Sequence, residues 1–316
     1  MIIDVAGLAK RYGRSDALID LTMQVETGEV FGFLGPNGAG KTTAVKLLLG
    51  LVRPSGGGGT VLGAPLGDRR ARARIGYLPE LFRYQPWLGA REVLELHARL
   101  IDAGSAESLV AARLTAADIE ATLDEVGLRD RADDLVGGFS KGMQQRLGLA
   151  VALLGSPALI VLDEPTSALD PVGRMDVRAI IGRAREAGST VFLNSHLLGE
   201  VERVCDRVAI VDHGRVLESG RLDDLLGEAG VRIRVTDLPA PALAGLDRFG
   251  PVVAVDGWLS ISPIQPSVVP DVVAAIVGAG GRVHAVDVGR TSLEERFLRL
   301  LGETPAAGGD AVAASR

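Results

Sequence analysis

The chain has 316 residues, of which 47% are hydrophobic and 23% are charged, and its formal net charge is −6. This composition is typical of a soluble protein with a substantial core, and the length leaves room for one large domain or two ordinary ones. The acidic balance argues against a general nucleic-acid binder, and we expect no direct nucleic-acid partner. The single cysteine, Cys205, excludes an internal disulfide, fits a reducing cytosol and is expected to be buried.

The amino terminus lacks the basic start and the long apolar run of a signal peptide. The most apolar segment, residues 147–162, is interrupted by Gly155-Ser156-Pro157 and is too short to span a bilayer. Any link to a membrane is therefore expected to run through a partner.

The first 50 residues predict a β hairpin, a buried strand and a helix. Residues 2–11 and 17–25 alternate partly between apolar and polar side chains, which predicts an antiparallel hairpin with Tyr12 at its tip. The apolar run 29–34 predicts a buried strand, and residues 44–49 carry helix formers with an apolar face. Tyr12 fits either an ordinary edge aromatic or a residue that stacks on a base.

The loop between that strand and that helix has the pattern G-x-x-x-x-G-K-[ST]. Its glycines permit backbone angles that turn consecutive N–H groups inward around a phosphate chain, and the helix points its positive end at the same anion. We expect Lys41 to reach the β- and γ-phosphates and the Thr42 hydroxyl to bind Mg²⁺. A glycine-rich turn with a stray lysine is the simpler alternative, which the flanking strand and helix disfavour. The predicted nucleoside triphosphate site comprises Gly35, Pro36, Asn37, Gly38, Ala39, Gly40, Lys41, Thr42 and Thr43.

Strands and helices continue to alternate beyond this loop. Residues 53–59 predict a breaker-rich turn, residues 60–62 a short strand, and residues 75–80 a strand that runs into a loop. Helical spacing at 90–101 and 117–126 predicts two helices, joined over the surface by a stretch rich in Ala, Ser and Gly.

A long helix is predicted from Phe139 to about Gly155. Two apolar runs with β-branched residues follow, at 158–162 and 190–193, and strands that are apolar on both faces are typical of a parallel sheet. The alternation of strands and helices up to about residue 225 therefore predicts a parallel α/β core.

The composition changes after residue 225, and the pattern predicts a small α+β domain over residues 226–302. Its predicted strands and helices lie at 231–236, 252–262, 267–277, 282–288 and 292–301. Residues 303–316 are rich in Ala and Gly with little to bury, which predicts a disordered tail.

Three polar side chains follow the two apolar strands. Asp163 and Glu164 come directly after the first, and His196 closes the second in the same way. The carboxyl ends of parallel strands face the crevice where such sheets bind ligands. We expect Asp163 to hold Mg²⁺, directly or through water, and Glu164 to polarise the water that attacks the γ-phosphate. A solvated strand end and a structural histidine are the plainer alternatives, but beside a γ-phosphate His196 becomes a donor to the transferred group.

Taken together, residues 2–225 resemble the nucleotide-binding subunits of ABC transporters. The loop Gly35–Thr43 matches the Walker A motif of that family, and residues 160–164 match its Walker B motif. The resemblance implies that Tyr12 stacks on adenine. It also implies roles for Ser140, Gly142 and Met143 in the signature segment 139–143, for Asp170 in the D-loop and for His196 as the switch histidine.

This resemblance implies a fold, cofactors and partners. The expected fold class is α/β: a P-loop NTPase core at 1–225, with an N-terminal antiparallel β subdomain and a helical signature subdomain at about 85–155, plus the small C-terminal α+β domain. The expected cofactors are ATP and Mg²⁺. Two copies of this chain, or this chain and a close relative, are expected to sandwich two ATP molecules between one subunit's Walker A loop and the other's Ser140 and Gly142.

Three residues depart from the family's pattern. Lys141 replaces the first glycine of the signature, usually L-S-G-G-Q, and Met143 replaces its glutamine. Glu80 stands where many members have a glutamine, and we expect it to ligate Mg²⁺ or position water while adding negative charge near the triphosphate. The connection around 102–116 is also long and has no assigned role.

Residues 292–298 resemble the closing motif of ABC-2-type exporter ATPases, and an amphipathic packing helix fits the same residues. The resemblance implies a cytoplasmic chain held on the inner face of the cell membrane by a separate ABC-2-type permease, which would use ATP hydrolysis for export. A helix of that permease is expected to dock near Glu80 and residues 81–87, where Phe82 and Trp87 fit either a protein contact or local packing. Nothing in these residues identifies the transported molecule.

Two other protein classes use a phosphate loop of this kind. A soluble ABC ATPase that remodels RNA or DNA typically has tandem cores or long coiled-coil inserts, whereas this chain has one core and an acidic balance. A P-loop kinase or GTPase gives no reason for the signature segment or for His196. The sequence therefore predicts the ATP-hydrolysing subunit of an ABC exporter.

Overall fold

The computed structural model describes residues 1–105, 114–167, 169–227, 229–255, 257–290 and 292–302. The chain divides into two compact units, Met1–Gly220 and the part from Arg221 onward, which are described in turn. In these described ranges no helix is long and apolar enough to cross a membrane. The domain ranges proposed from the sequence stay predictions, and the predicted tail at 303–316 lies outside the described residues.

The first unit alternates strands and helices. Its strands are β1 (Ile3–Tyr12), β2 (Ser15–Val25), β3 (Val30–Leu34), β4 (Gly56–Val61), β5 (Ala64–Pro65), β6 (Ile75–Leu78), β7 (Leu159–Asp163), β8 (Thr190–Ser195), β9 (Arg207–Asp212) and β10 (Arg215–Arg221). Its helices are α1 (Lys41–Leu48), α2 (Arg69–Arg72), α3 (Ala90–Ser105), α4 (Ala116–Glu125), α5 (Lys141–Leu153), α6 (Pro171–Glu186) and α7 (Leu198–Val204).

These strands form one mixed sheet in the order β5-β4-β1-β2-β10-β9-β3-β8-β7-β6. The neighbours β9, β3, β8, β7 and β6 run parallel to one another. Strands β1, β2 and β4 are antiparallel, and Tyr12 pairs with Ser15 at the tip of the first hairpin. The predicted parallel core and the predicted hairpin are therefore confirmed.

The parallel strands form the rigid centre of the unit. Every residue of β3, β7 and β8 is buried. The Phe192 ring on β8 packs against Phe31 and Phe33 on β3, with ring centroids 5.9 Å and 5.4 Å apart. Burial of each such side chain contributes about 1.5–3 kcal/mol, which fixes the positions of the polar residues at the strand ends. Cys205 is buried as expected, and burial raises the pKa of its thiol.

The glycine-rich segment Gly56–Gly59 was predicted to be a turn, and this prediction was wrong because these residues belong to β4. A Cβ on Gly57 would lie 2.0 Å from the Gly7 carbonyl oxygen, and one on Gly59 would lie 2.2 Å from the Asp4 carbonyl oxygen. The glycines therefore permit the close approach of β1. Composition alone does not separate a turn from a strand that packs this tightly against its neighbour.

The helices α3, α4 and α5 precede β7 and include the signature segment. Helix α3 extends to Ser105, so the first part of the expected connection at 102–116 is helical, and residues 106–113 lie outside the described residues. Helix α4 begins with a capping box. The Asp118 N–H donates to Oγ1 of Thr115 at 3.3 Å, and the Thr115 N–H donates to Oδ2 of Asp118 at 2.7 Å.

The second unit is a small antiparallel sheet with helices. Its strands are β11 (Gly230–Thr236), β12 (Val252–Val255), β13 (Trp258–Ile261) and β14 (Arg282–Gly289), in the order β12-β13-β11-β14. Its helices are α8 (Leu222–Leu226), α9 (Ala240–Ala244), α10 (Val269–Gly278) and α11 (Leu293–Leu300). Its core joins Ile233 and Ile261 to Val272 of α10. The single strand predicted at 252–262 is a pair of strands, with Gly257 at a φ of 77° between them.

Candidate nucleotide site

The phosphate loop joins β3 to α1 and packs tightly against neighbouring backbone. Gly38 and Gly40 have φ angles of 86° and 98°, a left-handed conformation that favours glycine. A Cβ on Gly40 would lie 2.4 Å from the Ala17 carbonyl oxygen, and a Cβ on Gly35 would lie 2.3 Å from the Val211 carbonyl oxygen. Glycine is therefore required at both of these positions, and the loop holds the amino terminus of α1 open to an anion.

Lys41 is the first residue of α1, and its side chain is buried. Its Nζ donates to the carbonyl oxygen of Gly35 at 2.6 Å and to that of Pro36 at 3.3 Å. Burial lowers the pKa of Lys41, and three nearby carboxylates, led by Glu164, oppose this shift. The ammonium therefore lies folded over the loop, where the oxygens of a triphosphate would be stronger acceptors than the two carbonyls.

The ends of β7 and β8 place acidic and amide side chains side by side. Asp163 pairs with Asn194 across the two strands and is 3% exposed. Burial raises the pKa of Asp163, and the hydrogen bond that its carboxylate accepts from the Asn194 amide partly offsets this rise. Glu164 has a φ of 53°, which costs a residue with a side chain on the order of 1–3 kcal/mol. Its N–H donates to the Asn194 carbonyl oxygen at 2.8 Å, which holds the turn in place.

The Glu164 carboxylate has two partners from the end of β8. Nδ1 of His196 lies 2.8 Å from Oε1, and the Ser195 hydroxyl donates to Oε2 at 3.4 Å. The Glu164 side chain is buried, whereas half of the His196 side chain is exposed. This arrangement can accept a proton from a water at the carboxylate and donate from the imidazole to an anion.

A cleft of about 410 Å³ brings these groups together. The predicted site residues that line it are Pro36, Asn37, Gly38, Gly40, Lys41, Thr42, Thr43, Glu80, Asp163, Glu164 and His196. Gly35 and Ala39 are buried within the loop. The phosphate loop, Glu80 and the residues at the ends of β7 and β8 therefore meet at one edge of the sheet, where parallel sheets bind ligands.

Sequence reasoning missed the remaining lining residues, which are Ser15, Asp16, Ala17 and Asn194. The first three belong to the tip of the first hairpin. Asp16 forms an ion pair with Arg11, with Nε 2.5 Å from Oδ1, and its hydrogen bond to Arg11 lowers the pKa of Asp16. A hairpin tip and a strand end carry no chemical motif, and only the register of β7 against β8 could have identified Asn194.

Two predicted residues lie at helix or hairpin ends outside this cleft. Tyr12 is 45% exposed at the hairpin tip, with Nζ of Lys10 4.9 Å from its ring centroid. Asp170 caps α6, where its Oδ1 accepts a hydrogen bond from the Gly173 N–H at 2.8 Å. An exposed ring is available for stacking, and the Asp170 side chain already has a local partner.

The signature segment also lies outside the cleft. Ser140 is exposed and caps α5, because its Oγ accepts a hydrogen bond from the Met143 N–H at 3.3 Å. A Cβ on Gly142 would meet no atom within 4 Å. The first turn of α5 therefore presents open space and helix-terminal N–H groups on the outside of this chain.

The oxygen donors of the cleft fit a Mg²⁺ ion that is bound together with a nucleotide. Thr42, Glu80 and Asp163 offer hydroxyl and carboxylate oxygens, the donors that Mg²⁺ prefers, and the buried Oδ1 of Asn194 has no hydrogen-bond partner. Among the residues that the structure describes, no group of three or more His, Cys, Asp and Glu could hold a metal by itself. The donor set therefore suits a cation that brings further oxygen ligands, such as those of a triphosphate.

Comparisons with known proteins agree with this geometry. The pattern of the family described as ABC transporter matches residues 18–167. An ABC transporter ATP-binding protein of Nostoc sp. is 43% identical over 89% of this chain and 82% of its own length. The daunorubicin resistance ATP-binding protein DrrA3 of Streptomyces coeruleorubidus is 38% identical over 95% of this chain and 96% of its own.

The fold is shared as well. A solved structure of the ATP-binding subunit of an ABC transporter aligns with a TM-score of 0.62 at 31% identity, over 71% of this chain and 92% of that one. The chain therefore belongs to the ATP-binding proteins of ABC transporters, a family of ATPases.

Proposed function

We propose that this chain is the ATP-hydrolysing subunit of an ABC-2-type exporter, acting as a homodimer or as a heterodimer with a close relative. One observation carries the proposal: the phosphate loop and the acids share a cleft, while Ser140 and Gly142 lie outside it. ATP in the cleft of one subunit then presents its γ-phosphate to the signature segment of the other. Hydrolysis removes this shared ligand, and the dimer opens.

Within the cleft, hydrolysis depends on Glu164 and His196. The oxygen of a water attacks the γ-phosphorus as the bond from that phosphorus to the β–γ bridging oxygen breaks, which yields ADP and phosphate. Glu164 takes the proton that the water loses. Because Nδ1 of His196 donates to the Glu164 carboxylate, Nε2 donates to the γ-phosphate oxygens when the ring is doubly protonated.

Thr42, Asp163 and Glu80 would hold the Mg²⁺ ion, which when bound neutralises charge on the β- and γ-phosphates. Lys41 exchanges its two contacts with loop carbonyls for contacts with the phosphates. Glu80 adds a third carboxylate near this lysine, which favours a doubly charged cation in the filled site.

The signature segment is suited to a partner's nucleotide. Ser140 and Gly142 do not line this chain's own cleft, and a Cβ on Gly142 would meet no atom of the described residues within 4 Å, which leaves room beside the amino terminus of α5. Tyr12, exposed at the hairpin tip, is proposed to stack on adenine, and Asp170 to lie at the interface between the subunits.

An exposed apolar area after Glu80 supports docking of a permease. Leu81 and Trp87 are 87% and 69% exposed, and Leu135, which is backbone-paired with Gly89, is 58% exposed. Phe82 instead lies beneath α5, because a Cβ on Gly148 would lie 2.6 Å from its ring. Phe82 therefore fits local packing, and the exposure of Trp87 supports its proposed contact with the permease.

Export through the permease is supported by the drug-resistance name of one close relative. The proposed location is the cytoplasmic face of the cell membrane, where the permease anchors the chain. Purification of the native membrane complex, with identification of the copurified subunit, tests this part of the proposal. A copurified protein with about six apolar segments of roughly 20 residues each is expected. Copurified RNA in place of a membrane protein would contradict it.

The dimer and the role of Glu164 are tested with Glu164→Gln. The variant keeps the size of the side chain and one acceptor oxygen, but it cannot accept the proton. We expect ATP hydrolysis to fall by roughly 10²- to 10⁴-fold and a nucleotide-bound dimer to accumulate in light scattering after ATP is added. Glu186→Gln, at an exposed position near the end of α6, is the matched control and should behave as the native protein does. Near-native turnover of Glu164→Gln would remove Glu164 as the base.

A further inference from the structure

We propose that Asn194 is a positioning residue that holds the Asp163 carboxylate through Nδ2 and offers Oδ1 to a water in the nucleotide site. This inference rests on the proposed Mg²⁺ site and extends it to a side chain that matches no motif. It requires that both Nδ2 and Oδ1 of the amide have a hydrogen-bond partner in the occupied site.

The location of Asn194 is set by the sheet. It lies on β8, opposite Asp163 in the parallel register with β7, and its backbone carbonyl accepts the Glu164 N–H at 2.8 Å. The residue is 1% exposed and its side chain lines the cleft. Asn194 therefore contacts the Asp163 carboxylate with its side chain and the Glu164 N–H with its main-chain carbonyl.

The donor end of the amide is committed to Asp163. Nδ2 donates to Oδ1 of Asp163. The opposite orientation of the amide would bring its oxygen against a carboxylate oxygen, so this contact fixes which end of the amide faces Asp163. The hydrogen bond leaves the second carboxylate oxygen of Asp163 for a cation or for a water bound to it.

The acceptor end of the amide lacks a partner. Oδ1 of Asn194 is buried and accepts no hydrogen bond from any residue that the structure describes. A buried amide oxygen without a donor costs about 1–3 kcal/mol, so such groups are rare where no ligand or water serves them. Because Asn194 is among the residues that line the cleft, the donor assigned to this buried oxygen is a water that reaches it when the cation or the attacking nucleophile enters the site.

The neighbouring residue has a parallel but separate contact. The Ser195 hydroxyl donates to Oε2 of Glu164 at 3.4 Å and accepts the Leu197 N–H at 3.1 Å. Asn194 thus donates to Asp163, the predicted cation ligand, and Ser195 donates to Glu164, the predicted base. This difference provides a control from the same strand with similar burial.

The test measures Mn²⁺ binding to the full-length protein loaded with AMP-PNP, by the electron paramagnetic resonance signal of free Mn²⁺. Asn194→Leu keeps the shape of the side chain and removes both hydrogen-bonding ends. We expect about a tenfold loss of Mn²⁺ affinity, the usual effect of removing a residue that orients a metal ligand. AMP-PNP affinity without metal should stay within twofold of native, which also reports that the site is folded.

Two further variants make the outcome decisive. Ser195→Ala should lower ATP turnover while leaving Mn²⁺ affinity within twofold of native, and Asn194→Thr, whose hydroxyl can donate and accept, should recover most of the affinity that leucine loses. Native Mn²⁺ affinity in Asn194→Leu, or an equal loss in Asn194→Thr, would overturn the inference. An absence of Mn²⁺ binding in the native protein would instead overturn the proposed cation site.

Discussion

The cleft and the signature segment are both predicted to contact the same kind of phosphate, yet they are built in opposite ways. In the cleft, Asp163 and Lys41 are buried with pKa values shifted against their charged forms, and Glu164 has a left-handed backbone. In the signature segment, Ser140 is exposed and caps its own helix, and Gly142 has open space around it. The cleft therefore contains groups whose burial or backbone conformation opposes folding, whereas Ser140 stabilises its helix as a cap.

This difference separates substitutions that alter the isolated chain from substitutions that alter only the activity of a dimer. Changes in the cleft should alter nucleotide binding or stability of the isolated chain. Changes in the signature segment should leave both unaltered and act only when a second subunit is present. Substitutions at Lys41, Gly142 and Asp163 test this division.

The largest effect is expected for Lys41→Ala in the cleft. The ammonium is the closest cationic side chain to the loop, with its Nζ 2.6 Å from the Gly35 carbonyl oxygen, and its removal leaves a bound triphosphate without that charge. Loss of one partner of a buried charge pair costs about 2–5 kcal/mol, so ATP affinity should fall on the order of 100-fold or more. Equilibrium binding of a fluorescent ATP analogue measures this. Lys46→Ala, an exposed position on the same helix, is the control, and retained affinity in Lys41→Ala would contradict the phosphate-loop assignment.

An intermediate effect is expected for Gly142→Asp in the signature segment. The Cβ of the new side chain would meet no atom of the described residues within 4 Å, and an acidic residue in the first turn of a helix is favourable. Thermal stability and nucleotide affinity of the isolated chain should therefore be unchanged. ATP turnover should fall at least roughly tenfold, because the carboxylate repels the γ-phosphate held by the second subunit.

The matched control for this variant is Gly182→Asp on α6, another helical glycine whose Cβ would meet no atom within 4 Å. It should keep native turnover. Reduced nucleotide affinity of the isolated Gly142→Asp chain would break the division, because it would place the signature segment in this chain's own site.

The smallest expected effect is a change in the free energy of unfolding. It is expected for Asp163→Asn and is measured on nucleotide-free protein by urea unfolding. Burial raises the pKa of Asp163, so ionisation of this carboxyl opposes folding. The resulting loss of stability begins as the pH rises above the unfolded pKa and is complete above the folded pKa. The variant should be about 1 kcal/mol more stable than native at pH 8, and this gain should disappear toward pH 4. Its ATP hydrolysis should be lost, which links the cost in stability to function.

Asp133→Asn provides the opposite case. Asp133 is exposed, and its hydrogen bond to Arg91 lowers the pKa of its carboxyl, so the native carboxylate favours folding above its unfolded pKa. This variant should be less stable than native at pH 8, and the deficit should persist at pH 4 and disappear only as the pH falls through the lowered pKa of Asp133, in contrast to Asp163→Asn. The same pH trend in both variants would show that burial of Asp163 is not the cause.

Much of the fold could be predicted because its local patterns agree with its packing. The runs at 158–162 and 190–193 are apolar on both faces and became β7 and β8, and the glycine loop was recognised from its strand and helix. The segment Gly56–Gly59 was misread because the need for glycine there arises from backbone contacts with β1, which are distant in sequence. Tertiary contacts of this kind leave no mark in composition.

Residues of the candidate site could be predicted only where they belong to a sequence motif or follow a predicted strand. Glu164 and His196 were expected from their strand ends, and their side chains lie 2.8 Å apart. Asp16 at the hairpin tip and Asn194 within a strand were not expected, because their places depend on loop position and on register. The full set of lining residues required the three-dimensional arrangement.

The left-handed backbone of Glu164 has a consequence for how this position can change over evolutionary time. Selection for folding alone would favour glycine or asparagine there, since both adopt a φ of 53° at lower cost than glutamate. A nucleotide-binding site that no longer hydrolyses ATP would therefore be expected to drift at this residue before it drifts in the phosphate loop. We therefore expect the residue at position 164 to indicate whether such a site still hydrolyses ATP.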